Sequence, residues 1–136
     1  GFRAIEQKRG EAMTMNGHEV FHFGLKEVVP NIKSTLENSD VEIDQIDHFV
    51  FHQANLLLNE SIRKKLKVPA EKVPYTLNEF GNTSCATIPI TLVNSLGKEL
   101  SFSQKTCLLS GFGVGLSWGS GIVNLTNCVC PDLIEI

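Results

Sequence analysis

No run of about 18 apolar residues occurs in the 136-residue chain, so the sequence contains no candidate membrane-spanning helix. The first ten residues, GFRAIEQKRG, lack the apolar core of a secretory signal. A basic excess is also missing: 12 Lys and Arg stand against 15 Asp and Glu, for a net charge of −3. That balance argues against bulk nucleic-acid binding, which needs a basic stripe. Only four cysteines are present, Cys85, Cys107, Cys128 and Cys130, too few and too late in the chain for a disulfide scaffold. The expectation is a reduced, cytoplasmic protein with no membrane and no nucleic-acid partner. No internal repeat and no low-complexity linker breaks the chain.

What remains is ordinary for a packed domain. Apolar residues make up 42% and charged residues 20%, and mean hydropathy is +0.02. A chain of this length buries roughly two thirds of its unfolded surface, enough for a core without staples. Phe21, Leu25, Val28, Ile32 and Leu36 recur every three or four residues and predict one helical face, kinked at Pro30. The acidic stretch 38–47 reads as a turn. His48-Phe49-Val50-Phe51 predicts a short strand, and Leu58, Ile62 and Leu66 predict a helix over about 55–66. Val73-Pro74-Tyr75-Thr76 reads as a weak edge strand. A helix over 84–99, a doubly buried strand over 106–110, a glycine-rich turn and a strand over 122–125 complete the series. Alternating strands and helices predict an α/β layer rather than an all-α or all-β fold, in one domain or a piece of one.

Four features bear on chemistry. His52-Gln53-Ala54-Asn55 lies between a strand and a helix, where open α/β sheets present catalytic groups. A histidine there either caps the helix or handles protons. Asn82 sits in Gly81-Asn82-Thr83-Ser84, as a turn or capping residue or as an amide that donates to a developing oxyanion. The glycine stretch Gly111–Gly121 lets backbone N–H groups approach a ligand. It fits neither the dinucleotide spacing, because residue 116 is Leu, nor a phosphate loop. His18-Glu19-Val20-Phe21-His22 matches a zinc-protease pattern letter for letter, but its extended form fails at Leu25. Asn59, Asn82 and Asn124 match glycosylation acceptors, which carry little weight without a secretory signal. Cys85, among small residues, reads as a buried packing thiol, and Cys128 with Cys130 as a pair without further metal ligands. Arg63, Lys64, Lys65, Lys67 and Lys72 form a basic patch, either a solvated face or a dock for an acidic partner.

Taken in order, FHQANLLLNESIRKKL, EFGNTSCATIPITL and GFGVGLSWGS, preceded by MNGHEVFHFGLKEVVPNI, resemble the C-terminal half of a β-ketoacyl-[acyl-carrier-protein] synthase III, in the thiolase-like superfamily. The resemblance spans about 15–125. It implies a single C-terminal domain over 1–136, half of a layered α/β enzyme with a mixed sheet packed with helices, and an enzyme that moves an acyl group from acyl-CoA onto a cysteine. The enzyme then condenses it, with loss of carbon dioxide, with malonyl-acyl carrier protein in fatty acid biosynthesis. His52 and Asn82 match the family's catalytic pair, which binds the malonyl thioester oxygen. Phe112 matches the aromatic residue beside the cysteine. Gly113, Val114 and Gly115 fall in the oxyanion loop, with Val114 where the family usually has glycine. The resemblance implies no cofactor and no metal, coenzyme A entering as part of the substrate. It implies an N-terminal half that carries the nucleophilic cysteine, acyl carrier protein as partner, and a homodimer.

None of the four cysteines matches the family's nucleophile motif, so this stretch alone is expected to be inactive. Where the family often places an arginine two residues after HQAN, this chain has Leu57. Arg63, Lys64 and Lys65 are the candidate substitutes for carrier docking. Two further readings are a condensing enzyme of secondary metabolism and a non-catalytic module that keeps the fold. If the zinc match is coincidental, elemental analysis of the purified protein will return no stoichiometric zinc; one zinc per chain would reinstate a metal site at His18 and His22.

Overall fold

The computed structural model describes residues 16–113 and 115–134. Helix α1 (Gly17–Phe23) begins where the Asn16 side chain accepts from the Glu19 N–H, and it runs through a widened π turn (Gly24–Val28) into α2 (Val29–Glu37). Pro30 falls in the first turn of α2, where a missing N–H is tolerated. The expected irregularity therefore sits just before the proline, as a π turn. It places Gly24 against Leu58: a Cβ on Gly24 would lie 2.7 Å from Leu58 Cδ1. A side chain there would force the buried Leu58 side chain to shift.

Strand β1 (His48–Phe51) is followed by α3 (Leu56–Leu66), the one-turn helix α4 (Leu77–Phe80) and the long helix α5 (Thr87–Phe102). Strands β2 (Lys105–Gly113) and β3 (Ser117–Leu125) then close the sheet, in the order β1-β2-β3. β1 pairs with β2 in parallel, His48 opposite Cys107 and Phe51 opposite Ser110. β2 pairs with β3 antiparallel, Lys105 opposite Leu125 and Gly113 opposite Ser117.

Strand alternation sorts the core into two layers. Phe49, Phe51, Leu108 and Phe112 face one side, against Phe23, Val28, Val29 and Ile32 of the first helical segment and Leu58, Ile62 and Leu66 of α3. Val50 and Cys107 face the other, against Leu96 and Leu100 of α5. The short apolar run of β1 is thus a strand buried on both faces. On the outer side, Glu99 of α5 ties the sheet together, with 2.7 Å to His48 Nε2 and 2.6 Å to Lys105 Nζ. Lys105 first, then His48, holds the Glu99 carboxyl below the usual carboxylate range.

Two local expectations are corrected. Residues 73–76 form no strand. Ala70–Lys72 is a 3-10 turn, Pro74 has no donor, and the Thr76 N–H donates to the Gln53 side chain at 3.3 Å. The glycine stretch is mostly sheet: Gly111–Gly113 end β2 and Ser117–Gly121 begin β3, so it is a hairpin with its tip near Gly115.

Leu58 is fully buried and Leu57, its neighbour on α3, is 70% exposed. In the intact protein Leu58→Ala is expected to cost about 2–5 kcal/mol of unfolding free energy, whereas Leu57→Ala stays within about 0.5 kcal/mol. Urea denaturation of both variants checks this, and equal losses would contradict the packing.

Candidate active site

β1 ends at Phe51, and His52 continues its line for one more rung: the His52 N–H donates to the Ser110 carbonyl of β2 at 2.8 Å. The imidazole therefore emerges beyond the carboxyl end of a parallel strand pair. The chain then turns into α3. Asn55 caps that helix, its Oδ1 accepting from the Leu58 N–H at 2.8 Å. Helix capping thus falls to Asn55 and leaves His52 free of that duty.

The imidazole is half-buried and meets three groups. Its Nδ1 lies 2.7 Å from Thr87 Oγ1 at the start of α5. Its ring stands edge-on to Phe112 of β2, with centroids 5.4 Å apart and planes at 85°. The Ser84 backbone also lies against it. Burial pulls the His52 pKa below the ordinary value of 6.5, and the Ser84 backbone partly opposes this. The site therefore presents a neutral imidazole near pH 7.

Asn82 comes up beside the loop that follows His52 from a different turn. Gly81 ends α4 at φ +64°, a conformation that favours glycine, and redirects the chain. The Asn82 side chain accepts from the Ser84 N–H at 2.9 Å, while its Nδ2 points at the Ala54 carbonyl, 3.5 Å away. Ser84 itself is left-handed, φ +57°, for a residue with a Cβ. Asn82 is thus held between the residue whose backbone touches His52 and a residue two positions past His52. The amide caps a tight turn and no helix, since α5 has no side-chain cap. An exposed carboxamide and a half-buried imidazole on adjoining turns are the kinds of group that polarise a carbonyl oxygen.

The remaining candidates divide. Phe112 and Gly113 end β2 beside His52, Gly115 is in the hairpin tip at φ +144°, and Val114 lies outside the described residues. Arg63 is already occupied. Its guanidinium grips Glu60 through two 2.8 Å bonds and donates to the Val68 carbonyl, and that grip holds the Glu60 carboxyl down to about 2. Lys64 and Lys65 are exposed, while Lys72 donates to the Asp44 and Ile46 carbonyls. Cys85 is exposed, against expectation, because the 3-10 turn at Ser84–Ala86 precedes the buried part of α5. Cys107 is buried, and burial pushes its thiol up to about 11, which keeps it a poor nucleophile. Asn59 is fully buried, which removes it as a glycosylation acceptor. His18, Glu19 and His22 line an open cavity of about 490 Å³ with Trp118 and Leu116, and no three metal-ligating groups converge among the described residues.

Three site residues escaped the sequence reading. Thr87 touches the imidazole. Gln53, fully buried, donates to the Phe51 carbonyl at 2.9 Å and accepts from the Thr76 N–H. Asn59 donates to the His52 carbonyl at 3.1 Å. The only sequence trace was polar residues at positions where a helix or strand pattern calls for apolar ones.

The profile of the family described as 3-oxoacyl-[acyl-carrier-protein (ACP)] synthase III, C terminal, matches residues 36–125. The chain is 46% identical over 116 residues to a β-ketoacyl-[acyl-carrier-protein] synthase III of Streptococcus gordonii, covering 83% of this chain and 36% of that protein. It is 41% identical over 118 residues to one of Acaryochloris marina, covering 87% and 36%. Among solved structures it superposes on a 3-oxoacyl-(acyl-carrier protein) synthase of Burkholderia xenovorans, with TM-score 0.85, 36% identity, and coverage of 94% of this chain and 38% of that one. It also superposes on the priming β-ketosynthase of the R1128 polyketide biosynthetic pathway, with TM-score 0.79, 28% identity, and coverage of 93% and 40%. The chain thus spans little more than a third of the curated relatives it matches.

The lowered His52 pKa has a pH consequence. In the intact protein its imidazole signal should titrate with a midpoint below 6.5. Because the folded form resists the proton, this group's stability contribution is complete above pH 6.5 and falls as pH drops from there to the folded midpoint. An NMR titration with a midpoint at or above 6.5 would contradict the burial argument.

Proposed function

The chain belongs to the 3-oxoacyl-[acyl-carrier-protein] synthase III family, as its C-terminal part, and from that premise we propose that it supplies the decarboxylating half of a condensing enzyme. What supports the reading is that the Asn82 turn lies beside the loop that follows β1: Asn82 Nδ2 faces the Ala54 carbonyl, and Ser84, whose N–H the Asn82 side chain accepts, has its backbone against the His52 ring.

The substrate is an acyl thioester, acyl-CoA in the first instance, whose acyl group passes to a cysteine. None of this chain's cysteines falls in the family's nucleophile motif, so that thiol comes from an N-terminal half of the same enzyme. Malonyl-acyl carrier protein then binds with its thioester oxygen between the His52 imidazole and the Asn82 amide. Loss of carbon dioxide breaks the carboxylate's carbon–carbon bond and leaves the electron pair as an enolate on that oxygen. Two neutral donors favour this charge without having to be desolvated at the moment it forms. The enolate carbon attacks the acyl-cysteine carbonyl, whose oxyanion is met by backbone N–H groups of the glycine hairpin, at Gly113, Val114 and Gly115. The cysteine thiolate leaves. Phe112 covers the imidazole and keeps water from the reacting atoms. No metal and no redox cofactor enters, and coenzyme A leaves as product.

The carrier's acidic surface docks near Lys64 and Lys65 on α3, with Arg63 as their structural anchor. The enzyme works in the cytoplasm as a homodimer in fatty acid initiation. Likeness to a polyketide priming synthase supports a second reading, the same chemistry in secondary metabolism with a different acyl group. Turnover with a panel of acyl-CoA starters separates the two.

In the intact enzyme, His52→Ala and Asn82→Ala should each lower malonyl-thioester decarboxylation by about a hundredfold or more, while acyl transfer to the cysteine survives. Either variant decarboxylating at the parent rate would end the proposal.

A further inference from the structure

Thr87 is 1% exposed and carries a hydroxyl that faces the imidazole. Its Oγ1 lies 2.7 Å from His52 Nδ1 and 3.0 Å from the Ser84 carbonyl oxygen. A hydroxyl has one proton, so it can serve only one of these acceptors at a time. The choice fixes the ring. If the proton points at Ser84, the ring must carry its own proton on Nδ1 and donate to Thr87, which leaves Nε2 a bare acceptor. If the proton points at Nδ1, the ring proton is on Nε2, which becomes a donor toward the open side of the site. The two tautomers have the same charge and nearly the same shape, but only the second can donate to a substrate oxygen.

We infer that Thr87 is a positioning residue that selects the Nε2–H tautomer of His52 by donating its hydroxyl proton to Nδ1. The inference deepens the condensing reading above and rests on it for its catalytic consequence. Three observations carry it. The distance to Nδ1 is the shorter of the two, and an imidazole nitrogen is a stronger acceptor than an amide oxygen. The Ser84 carbonyl, on the left-handed turn at Ser84, is the hydroxyl's competing acceptor, and at 3.0 Å it is the longer of the two contacts. Thr87 is itself fixed: the Thr91 hydroxyl donates to the Thr87 carbonyl at 2.8 Å, and Thr91 shares a 2.9 Å bond with Thr76, both of them buried. The side chain is therefore held at the depth where its hydroxyl meets the ring.

The variants Thr87→Val and Thr87→Ser separate the hydroxyl from the methyl. Valine keeps the shape and removes the proton; serine keeps the proton and removes the methyl. In the intact protein, long-range proton–nitrogen NMR of the His52 ring should show Nε2–H in the parent and in Thr87→Ser. In Thr87→Val the signal should shift toward the Nδ1–H form. With malonyl thioester, Thr87→Val should lose about tenfold or more in decarboxylation kcat, with KM changed far less, while Thr87→Ser stays within about threefold of the parent. An Nδ1–H ring in the parent overturns the inference, and so does a Thr87→Val ring identical to the parent's. Thr87→Ser behaving like Thr87→Val does the same, since that would make Thr87 a packing residue. Failure of the condensing reading looks different: no form, parent included, would decarboxylate the thioester, while the NMR comparison would still decide the role of Thr87.

Discussion

Everything at the site depends on one backbone bond, the His52 N–H to the Ser110 carbonyl. It is the rung that follows the last pair of the parallel β1–β2 ladder. It sets where the chain leaves the sheet and therefore where the imidazole stands. The ladder is rigid because both faces of β1 are covered: Phe49 and Phe51 pack against α3 and the first helical segment, Val50 against α5. A one-residue slip would move every one of these side chains to the wrong layer, so the core that stabilises the sheet also fixes the register of the histidine. Stability and placement of the reactive group are here the same constraint.

Around that rung the protein spends buried polar groups that a plain core would not contain. Gln53, Asn59, Thr76, Thr87 and Thr91 are all at or below 2% exposure. Each makes a specific bond: Gln53 to the Phe51 carbonyl and the Thr76 N–H, Asn59 to the His52 carbonyl, Thr76 to Thr91, and Thr91 to the Thr87 carbonyl. Unpaired, such groups would each cost on the order of 1–3 kcal/mol. Paired, they connect the loop after β1 to the segment before α4 and to the start of α5. The network is the physical reason that turns far apart in sequence, at 52 and at 82–87, keep a fixed separation.

The two departures from the family pattern, Leu57 and Val114, are not among the residues of this network. Leu57 leaves an apolar side chain exposed on α3 where the family often has a cation, and Arg63 is spent on Glu60 and Val68. Val114 stands in a loop that usually carries glycine.

Periodicity alone determined the main elements. The i, i+4 leucines and isoleucine of α3, the four apolar letters of β1 and the helix-then-strand order of 84–125 each follow from local geometry, because side-chain spacing is set by the backbone repeat. The ordered motifs added the family, and with it His52 and Asn82 as a pair. Sequence misread residues 73–76, where a β-rich string became an irregular link after the 3-10 turn Ala70–Lys72. The reason is that backbone donors there bond side chains from elsewhere in the chain, a choice made by tertiary contact. It also missed that Arg63 has a partner three residues back and that Cys85 faces solvent. Thr87, above all, was only one more threonine at the head of a helix until the fold brought it 2.7 Å from an imidazole 35 positions earlier. A residue's type says which bonds it is able to make, and only the packed chain decides which partner is within reach.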